Sequence, residues 1–336
     1  MKKYKVLCLT DHRRHSSQNS VYSIMRAVAE HPQCKEVVVA SRGIEDNRMF
    51  FEEEDFGKLQ VVDVNASFDY SQSGESFTLE SKWTDPKQYD IILLRLPRPV
   101  TDSFLNKLKQ QFSDSLFIND PEGIIQTSNK AFLLHFPELC PPIKLCHSIE
   151  EIVSFVQMIG DIVLKPLREY GGQGILKVTE DVIHDGDVIH DRQCYLASKD
   201  SYIISEGYLA MKYLKNVSQG DKRLIVVDGE ILAASNRLPQ EGSWICNVAL
   251  GGKSVAAEVS EREIEIIEKL DPILKENGIL IYGVDTLVDD DHERILSEVN
   301  TLSIGGFPQA EVQTGLPILK ITVQKIIDYA DRHFIV

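Results

Sequence analysis

The chain has 336 residues, and its 36 basic against 51 acidic side chains give a formal net charge of −15. The length suits two or three domains, and 43% hydrophobic with 26% charged residues is the balance of an ordinary soluble globular protein. So acidic a chain has no electrostatic footprint for nucleic acid, although a local gathering of cations could still bind phosphates.

The opening MKKYKVLCLTDHRR holds an apolar run too short for the core of a signal peptide, and 4–9 reads as a first β-strand. A helix is expected over 20–29 and strands over 36–40, 89–96 and 116–118. Short apolar strands alternating with helices predict a parallel α/β sheet in residues 1–122. No glycine fingerprint follows the first strand, which argues against dinucleotide binding there. The acidic, polar stretch 41–86 is expected to be a long loop containing a hairpin or a helix. No apolar run approaches the roughly 20 residues of a membrane span. Cys8, Cys34, Cys140, Cys146, Cys194 and Cys246 show no CxxC spacing and read as reduced thiols of a cytoplasmic protein.

Helices are expected over 128–136 and 149–159, followed by DIVLKPLREYGGQGILKV at 161–178. Here Lys165 ends an apolar strand, and a lysine in that place costs desolvation unless an anion meets it. Gly171, Gly172, Gln173 and Gly174 follow before a second apolar strand. Such glycines let backbone N–H groups approach a polyphosphate closely. A snorkelling lysine and an ordinary turn form the plainer alternative.

The segment GDKRLIVVDGEILAASNRLPQ, 220–240, reads as a hairpin turning at Asp228 and Gly229. Asp221, Lys222 and Arg223 precede it and Arg237 follows, with successive side chains on opposite faces. A helix is expected over 260–277, then strands over 280–288 and 294–299 around an Asp-rich turn, and a last helix over 316–333. Glu298 and Asn300 share a face, and symmetry about Asp291 and His292 sets Asp285 opposite Glu298. Two carboxylates about 4 Å apart repel by roughly 4 kcal/mol at an effective dielectric of 20, so a cation is expected between them. The all-oxygen set suits Mg²⁺ or Mn²⁺ rather than zinc. Solvated charge on an exposed hairpin is the alternative, and it describes Asp289, Asp290, Asp291 and Glu293 better than Asp285 and Glu298.

These segments in this order, with INDPEGIIQTSNKAFLLHF upstream and SEGYL, RLPQ, GVD and SEVN between and after them, resemble the ATP-grasp superfamily and within it bacterial glutathione synthetases. The similarity runs from about Asp90 to Gly305. The resemblance implies an α/β chain with α+β elements: an ATP-grasp fold preceded by a Rossmann-like parallel-sheet domain. It divides the chain into 1–122, a lid subdomain 123–204 and a catalytic subdomain 205–336. It implies an ATP-dependent carboxylate–amine ligase that forms an amide through an acyl phosphate. Lys130 and Lys165 would bind phosphates, and the backbone of Gly171, Gly172, Gln173 and Gly174 would cover them. Glu206, Gly207, Tyr208 and Leu209 would meet adenine, with Asp221 near the ribose. Arg223 and Arg237 would steady the transferring group, and Asp285, Glu298 and Asn300 would hold Mg²⁺, with Mn²⁺ as a substitute. Small-molecule substrates are implied, with Arg95 and Asn247 among their contacts, together with a homo-oligomer and no membrane or nucleic-acid partner.

The acceptor half departs from that pattern. Trp244, Ile245 and Cys246 precede Asn247 where the family has a small residue, an arginine and a glycine. After Asn300 stand Thr301, Leu302, Ser303 and Ile304 in place of a polar Thr/Ser-Pro-Thr loop. Gln18, Asn19 and Ser20 stand where the family has an early Lys-Asp-Ser run. A bulkier or less anionic partner is therefore expected, with Arg95 and either Arg13 or Arg14 gripping one carboxylate. A ligase for another peptide or amino acid, a small-molecule kinase on the same fold and a non-ligating ATP-binding module stay open as alternatives.

Overall fold

The structure, a computed structural model, describes residues 2–169, 171–239 and 253–334. Among these residues the strands form three sheets.

The first sheet holds β1 (Tyr4–Thr10), β2 (Cys34–Ser41), β3 (Leu59–Asp63), β4 (Lys82–Thr84), β5 (Ile91–Arg95) and β6 (Leu116–Ile118), in the order β4-β3-β2-β1-β5-β6. β2, β1, β5 and β6 are parallel, as expected, and their near-continuous apolar runs are buried on both faces. The polar stretch 41–86 extends this sheet, because β3 and β4 add antiparallel strands at its edge. A short helix, Arg48–Phe51, precedes them and packs Phe50 and Phe51 against Phe56, Phe104 and Phe112. The order reverses between β1 and β5, where Thr10 and Arg95 are register partners. In open parallel sheets such a switch point leaves a crevice beyond the carboxyl ends of the strands.

The second sheet holds β7 (Ile143–Cys146), β8 (Ile162–Pro166), β9 (Leu176–Val178), β10 (Val182–Asp185), β11 (Val188–Asp191) and β12 (Tyr208–Lys212), in the order β11-β10-β9-β8-β12-β7. Because β12 pairs with both β7 and β8, this unit runs past residue 204 to Lys212. Ser148 caps the helix Ile149–Ile159, which packs Ile152, Phe155 and Val156 beneath the sheet. The helix expected over 128–136 is a 3₁₀ segment, Lys130–His135. Lys130 N donates at 3.0 Å to Leu167 O rather than into an α-helical ladder, and Pro137 follows.

The third sheet holds β13 (Asp221–Val227), β14 (Glu230–Leu238), β15 (Lys253–Ala256), β16 (Ile281–Val288) and β17 (Arg294–Asn300), in the order β15-β14-β13-β16-β17. Asp228 and Gly229 turn the first hairpin with φ of 52° and 79°, the signs a type I′ turn needs. Strand alternation sends Lys222 to the back of the sheet, where its ammonium lies 2.7 Å from the fully buried Glu263. Thr286, the register partner of Lys222, donates to the other Glu263 oxygen at 2.7 Å. Glu263 also closes the capping box with Ser260 that starts the helix Glu261–Glu276. The network clamps that helix to the back of the sheet and leaves Asp221 and Arg223 on the front.

Asn119, buried just past β6, stitches the first sheet to the third. Its amide donates to Ile281 O at 2.6 Å and Thr301 O at 2.7 Å, and accepts from Leu280 N and Ile281 N at 2.9 and 2.8 Å. No helix among the described residues is long and apolar enough to cross a membrane. Cys8, Cys34, Cys140, Cys146 and Cys194 are free thiols.

Candidate active site

The front of the third sheet gathers the charged residues. Register sets Arg223 opposite Asp285, Asp285 opposite Glu298, Gly283 opposite Asn300 and Asp221 opposite Arg237. Partners across a ladder share a face, so these side chains converge. The expected pairing of Asp285 with Glu298 has an unexpected origin. Near the turn, Thr286 pairs with Leu296, and the register then shifts by one so that Ser297 is the extra residue of a bulge. Without that bulge, Asp285 would not face Glu298.

Lys165 Nζ donates to the bulged Ser297, 3.0 Å from its hydroxyl and 3.1 Å from its carbonyl oxygen. Both residues are buried. Burial lowers the pKa of Lys165, against the pull of Glu298. Lys130, also buried, donates to Glu169 O and lies 3.6 Å from Glu298. The two lysines of the sequence reading thus flank the same carboxylate.

Asp285 is 4% exposed and its oxygens are crowded with donors. Arg223 grips it with Nε and, at 2.8 Å, with a terminal nitrogen. Arg237 reaches it at 2.9 Å and Asn300 Nδ2 at 3.3 Å. Burial alone would raise its pKa, but the two guanidiniums outweigh it and hold Asp285 well below the usual carboxylate range. Asp221 is pushed up to about 7, by burial first and by Asp285 second, although Arg237 lies 2.6 Å away. Asp221 Oδ1 and Arg237 Nε are buried with no hydrogen-bond partner among the described residues, so polar capacity is left over at this point. Gly283 leaves room for Arg223, since a Cβ there would stand 3.1 Å from Arg223 Cδ.

Most of these residues, though neither Lys130 nor Gly283, line two joined cavities, of about 150 and 670 Å³, which share Gly171, Arg223, Arg237 and Asn300. The first has a charged end, with Lys165, Asp221, Asp285, Ser297 and Glu298, and an apolar end, with Val163, Ile175, Met211, Leu214, Val217 and Leu287. Gly172 covers it, and Gly171, Gly172 and Gly174 all take positive φ, a loop shape that side chains other than glycine resist. Gln173 faces the second cavity with Arg14, Arg98, Arg168, Leu302 and Ile304. Arg168 makes a two-point pair with Asp102, at 2.7 and 2.8 Å, which ties the stem of the glycine loop to the helix Asp102–Gln111.

Two expectations need correction. Glu206, Gly207, Tyr208 and Leu209 do not border the cavity. Leu209 is fully buried beside Lys165, its register partner on the neighbouring strand, and Tyr208 turns to the helix face with Ala210. The cavity wall is Met211, Lys212, Tyr213 and Leu214. Tyr-Leu occurs twice in YLAMKYL, and the second copy, not the first, reaches the cavity. Arg95 does not face either cavity. It is 7% exposed and donates to Ile304 O, and burial lowers its pKa to about 10. It shapes the wall of the second cavity from behind. Asn247, with Trp244, Ile245 and Cys246, lies outside the described residues. Ser297, Gly283 and Arg98 were missed, and only Ser297 had a signal, as a hydroxyl beside Glu298 in SEVN.

No cluster of three or more His, Cys, Asp or Glu side chains among the described residues is placed to hold a metal unaided. Asp285, Glu298 and Asn300 offer two carboxylates and an amide on adjacent strands. Hard oxygen donors beside lysines and arginines, with Asp221 Oδ1 left over, fit a divalent ion that completes its shell with phosphate oxygens and water.

Comparison with known proteins decides the family. Residues 129–315 match the ATP-grasp domain of prokaryotic glutathione synthetase. The chain belongs to the prokaryotic glutathione synthetase family. The glutathione synthetase of Rhodopseudomonas palustris is 31% identical over 278 residues, covering 81% of this chain and 84% of that one. That of Neisseria meningitidis serogroup A is 30% identical over 252 residues, covering 73% and 75%. Among solved structures, the D-cycloserine synthetase DcsG superposes with a TM-score of 0.65 at 10% identity over 97% of this chain and 99% of its own. The D-alanyl-alanine synthetase A of Vibrio cholerae gives 0.61 at 16% identity over 98% and 99%. Both share the fold alone. As a member of this glutathione synthetase family, the protein is an ATP-dependent amide-bond ligase that works with a divalent metal ion.

Proposed function

We propose that this ligase phosphorylates a small-molecule carboxylate with ATP and joins the acyl group to an amine, using the front of the third sheet as its catalytic surface. The observation that carries the reading is the row of Arg223, Asp285 and Glu298, with Asn300 beside it on the same face, near Lys165 and Lys130. In this reading the lysines and the glycine-loop backbone hold the polyphosphate. Arg223 and Arg237 turn from Asp285 to the phosphoryl group in flight. Asp285, Glu298 and Asn300 would hold Mg²⁺, with Mn²⁺ as a substitute, which would supply positive charge to offset that of the phosphate oxygens. Met211, Tyr213 and Leu214 replace Glu206, Gly207, Tyr208 and Leu209 as the apolar seat for the base. Asp221, in the first cavity beside Arg237, orients the ribose or Arg237.

A carboxylate oxygen takes the γ-phosphoryl group and ADP is released. The amine then attacks the acyl carbon, loses a proton, and phosphate departs. A closed glycine loop keeps water from the acyl phosphate. We assign 1–122 to substrate binding, 123–212 to the lid, with the expected boundary at 204 extended by β12, and the remainder to catalysis. The reading takes the enzyme as a cytoplasmic homo-oligomer acting on small molecules, and the free thiols suit a reducing compartment.

The relatives are named glutathione synthetases, so γ-glutamylcysteine plus glycine is the first pair to test. Leu302 and Ile304 in the second cavity, with Trp244 and Ile245 in the sequence after Gln240, favour a changed partner. Steady-state kinetics decide: kcat/KM at or above about 10⁴ M⁻¹s⁻¹ restores the ordinary substrate. A lower value sends the search to pooled amino acids and dipeptides with ATP and Mg²⁺, read by ADP release and new product masses. A protein that binds ATP and forms no amide with any of them is a non-ligating module.

A further inference from the structure

The Asp-rich turn between β16 and β17 reads in the sequence as solvated charge, yet two of its residues hold the chain that leaves β12. Asp290 lies 2.8 Å from the ammonium of Lys212 and accepts from Lys215 N at 3.0 Å. Asn216 Nδ2 donates to Asp289 O at 2.6 Å. The Asp289 carboxylate closes the turn on itself, accepting from Asp291 N and Glu293 N, both at 2.9 Å. Asp290 therefore stands on a turn with a fixed backbone. Lys212 first and the Lys215 amide second keep its carboxyl below the ordinary range.

The segment held in this way is a wall of the first cavity. Lys212, Tyr213, Leu214 and Val217 line that cavity, and they lie on or next to the residues that the turn holds. Tyr213 is also tied to the second sheet: its N donates to Asp161 O at 2.9 Å, and the Lys177 ammonium stands 3.8 Å from the centre of its ring. The wall thus hangs between the second sheet and a turn of the third. After β12 it is coil and one 3₁₀ segment, Lys215–Gln219. Such a stretch has few backbone bonds of its own, so its position depends on contacts like these. We propose that Asp290 is a positioning residue for the nucleotide: by holding Lys212 and the backbone of Lys215 it fixes the wall that seats the base, and so sets nucleotide affinity without touching the nucleotide. This rests on the reading above that the apolar end of the first cavity takes the base.

The test joins amide hydrogen exchange to calorimetry on the full chain, with ADP and Mg²⁺ as the probe. Asp290→Ala removes the ion pair and the acceptor of the Lys215 amide together. Without ligand, the amides of 212–220 should exchange several-fold faster than in the parent, while those of β1 and β5 stay unchanged. The Kd for ADP should rise by about fivefold or more, since one hydrogen bond to a charged group and one half-exposed ion pair hold the wall. Asp290→Asn keeps an acceptor and loses the ion pair, so it should fall between parent and alanine variant. Asp291→Ala removes an exposed charge from the same turn and should match the parent in both measurements. Unchanged exchange over 212–220 in Asp290→Ala overturns the proposal at the brace. An equal loss of ADP affinity in Asp291→Ala overturns it as well, by making the effect one of charge in the turn. Faster exchange with parent-like or tighter ADP binding overturns it in a distinguishable way: the brace is then present, and what fails is the reading that the base sits on this wall.

Discussion

Lys165 Nζ stands 3.0 Å from Ser297 Oγ and 3.1 Å from Ser297 O, on a bulge that exists only because β17 has one residue more than β16 across that stretch. The bulge does two things. It gives a buried ammonium two oxygen partners, and it restores the register that sets Asp285 against Glu298. A phosphate can replace the neutral serine oxygens at little cost, because each is a weaker partner for an ammonium than an anion is.

Lys165→Met should therefore weaken ADP and ATP binding by roughly tenfold or more, the worth of one hydrogen bond to a charged group. Ser297→Ala should leave nucleotide binding within about threefold, as removal of one neutral partner contributes little. Calorimetry checks both. Equal losses in the two variants would mean that Lys165 serves only to hold the bulge.

Glu298→Gln keeps shape and loses charge. Its side chain is 22% exposed, so the fold should survive. Turnover with Mg²⁺ should vanish, and Mn²⁺ bound in the presence of ADP, followed by paramagnetic resonance, should fall. Undiminished Mn²⁺ binding would remove Glu298 from the metal set.

Gly283→Ala puts a Cβ 3.1 Å from Arg223 Cδ and 3.2 Å from its Nε. Arg223 must move from Asp285, and misplacing a catalytic group by a fraction of an ångström lowers kcat by roughly tenfold or more. Nucleotide affinity should change far less. Parent-like kcat would show that Arg223 adapts and is not the positioned group.

Asp221 sets a pH dependence. Its folded pKa is about 7 against an ordinary value of 3.8, raised by burial first. Between those values the folded state holds a proton that the unfolded chain releases, so this group's contribution to stability falls as pH rises through the window. Asp221→Asn carries no such dependence. The thermal midpoint of the parent should slip relative to the variant between about pH 4 and 7. A constant difference would show that Asp221 is ionised throughout, paired with Arg237.

Asn119 makes four hydrogen bonds between the sheets. Asn119→Ala strands buried backbone groups of Leu280, Ile281 and Thr301, and should cost about 3 kcal/mol in denaturant titration. A loss under about 1 kcal/mol would mean that water replaces the amide.

The parallel core was legible because YKVLCL and IILLR are apolar runs buried on both faces. The charged row was legible because strand period alone puts Glu298 and Asn300 together, and Asp221 with Arg223. Three things were not. The bulge at Ser297 leaves no mark in composition, so the register reading reached its answer through a symmetry the turn itself does not have. The apolar wall was set five residues early because YLAMKYL repeats Tyr-Leu, and only the pairing of β12 with β8 tells the copies apart. Arg95 was placed among the substrate contacts by the family resemblance, which does not tell whether a backbone carbonyl, here Ile304 O, intercepts the guanidinium.

The central claim is that this sheet face activates a carboxylate by phosphoryl transfer. It is tested most directly by labelling the reacting carboxylate of the accepted substrate with ¹⁸O and running the ligation to completion with ATP and Mg²⁺. An acyl phosphate transfers one labelled oxygen to inorganic phosphate for each amide formed, with ADP as the other product. Unlabelled phosphate, or label recovered in AMP, would contradict it.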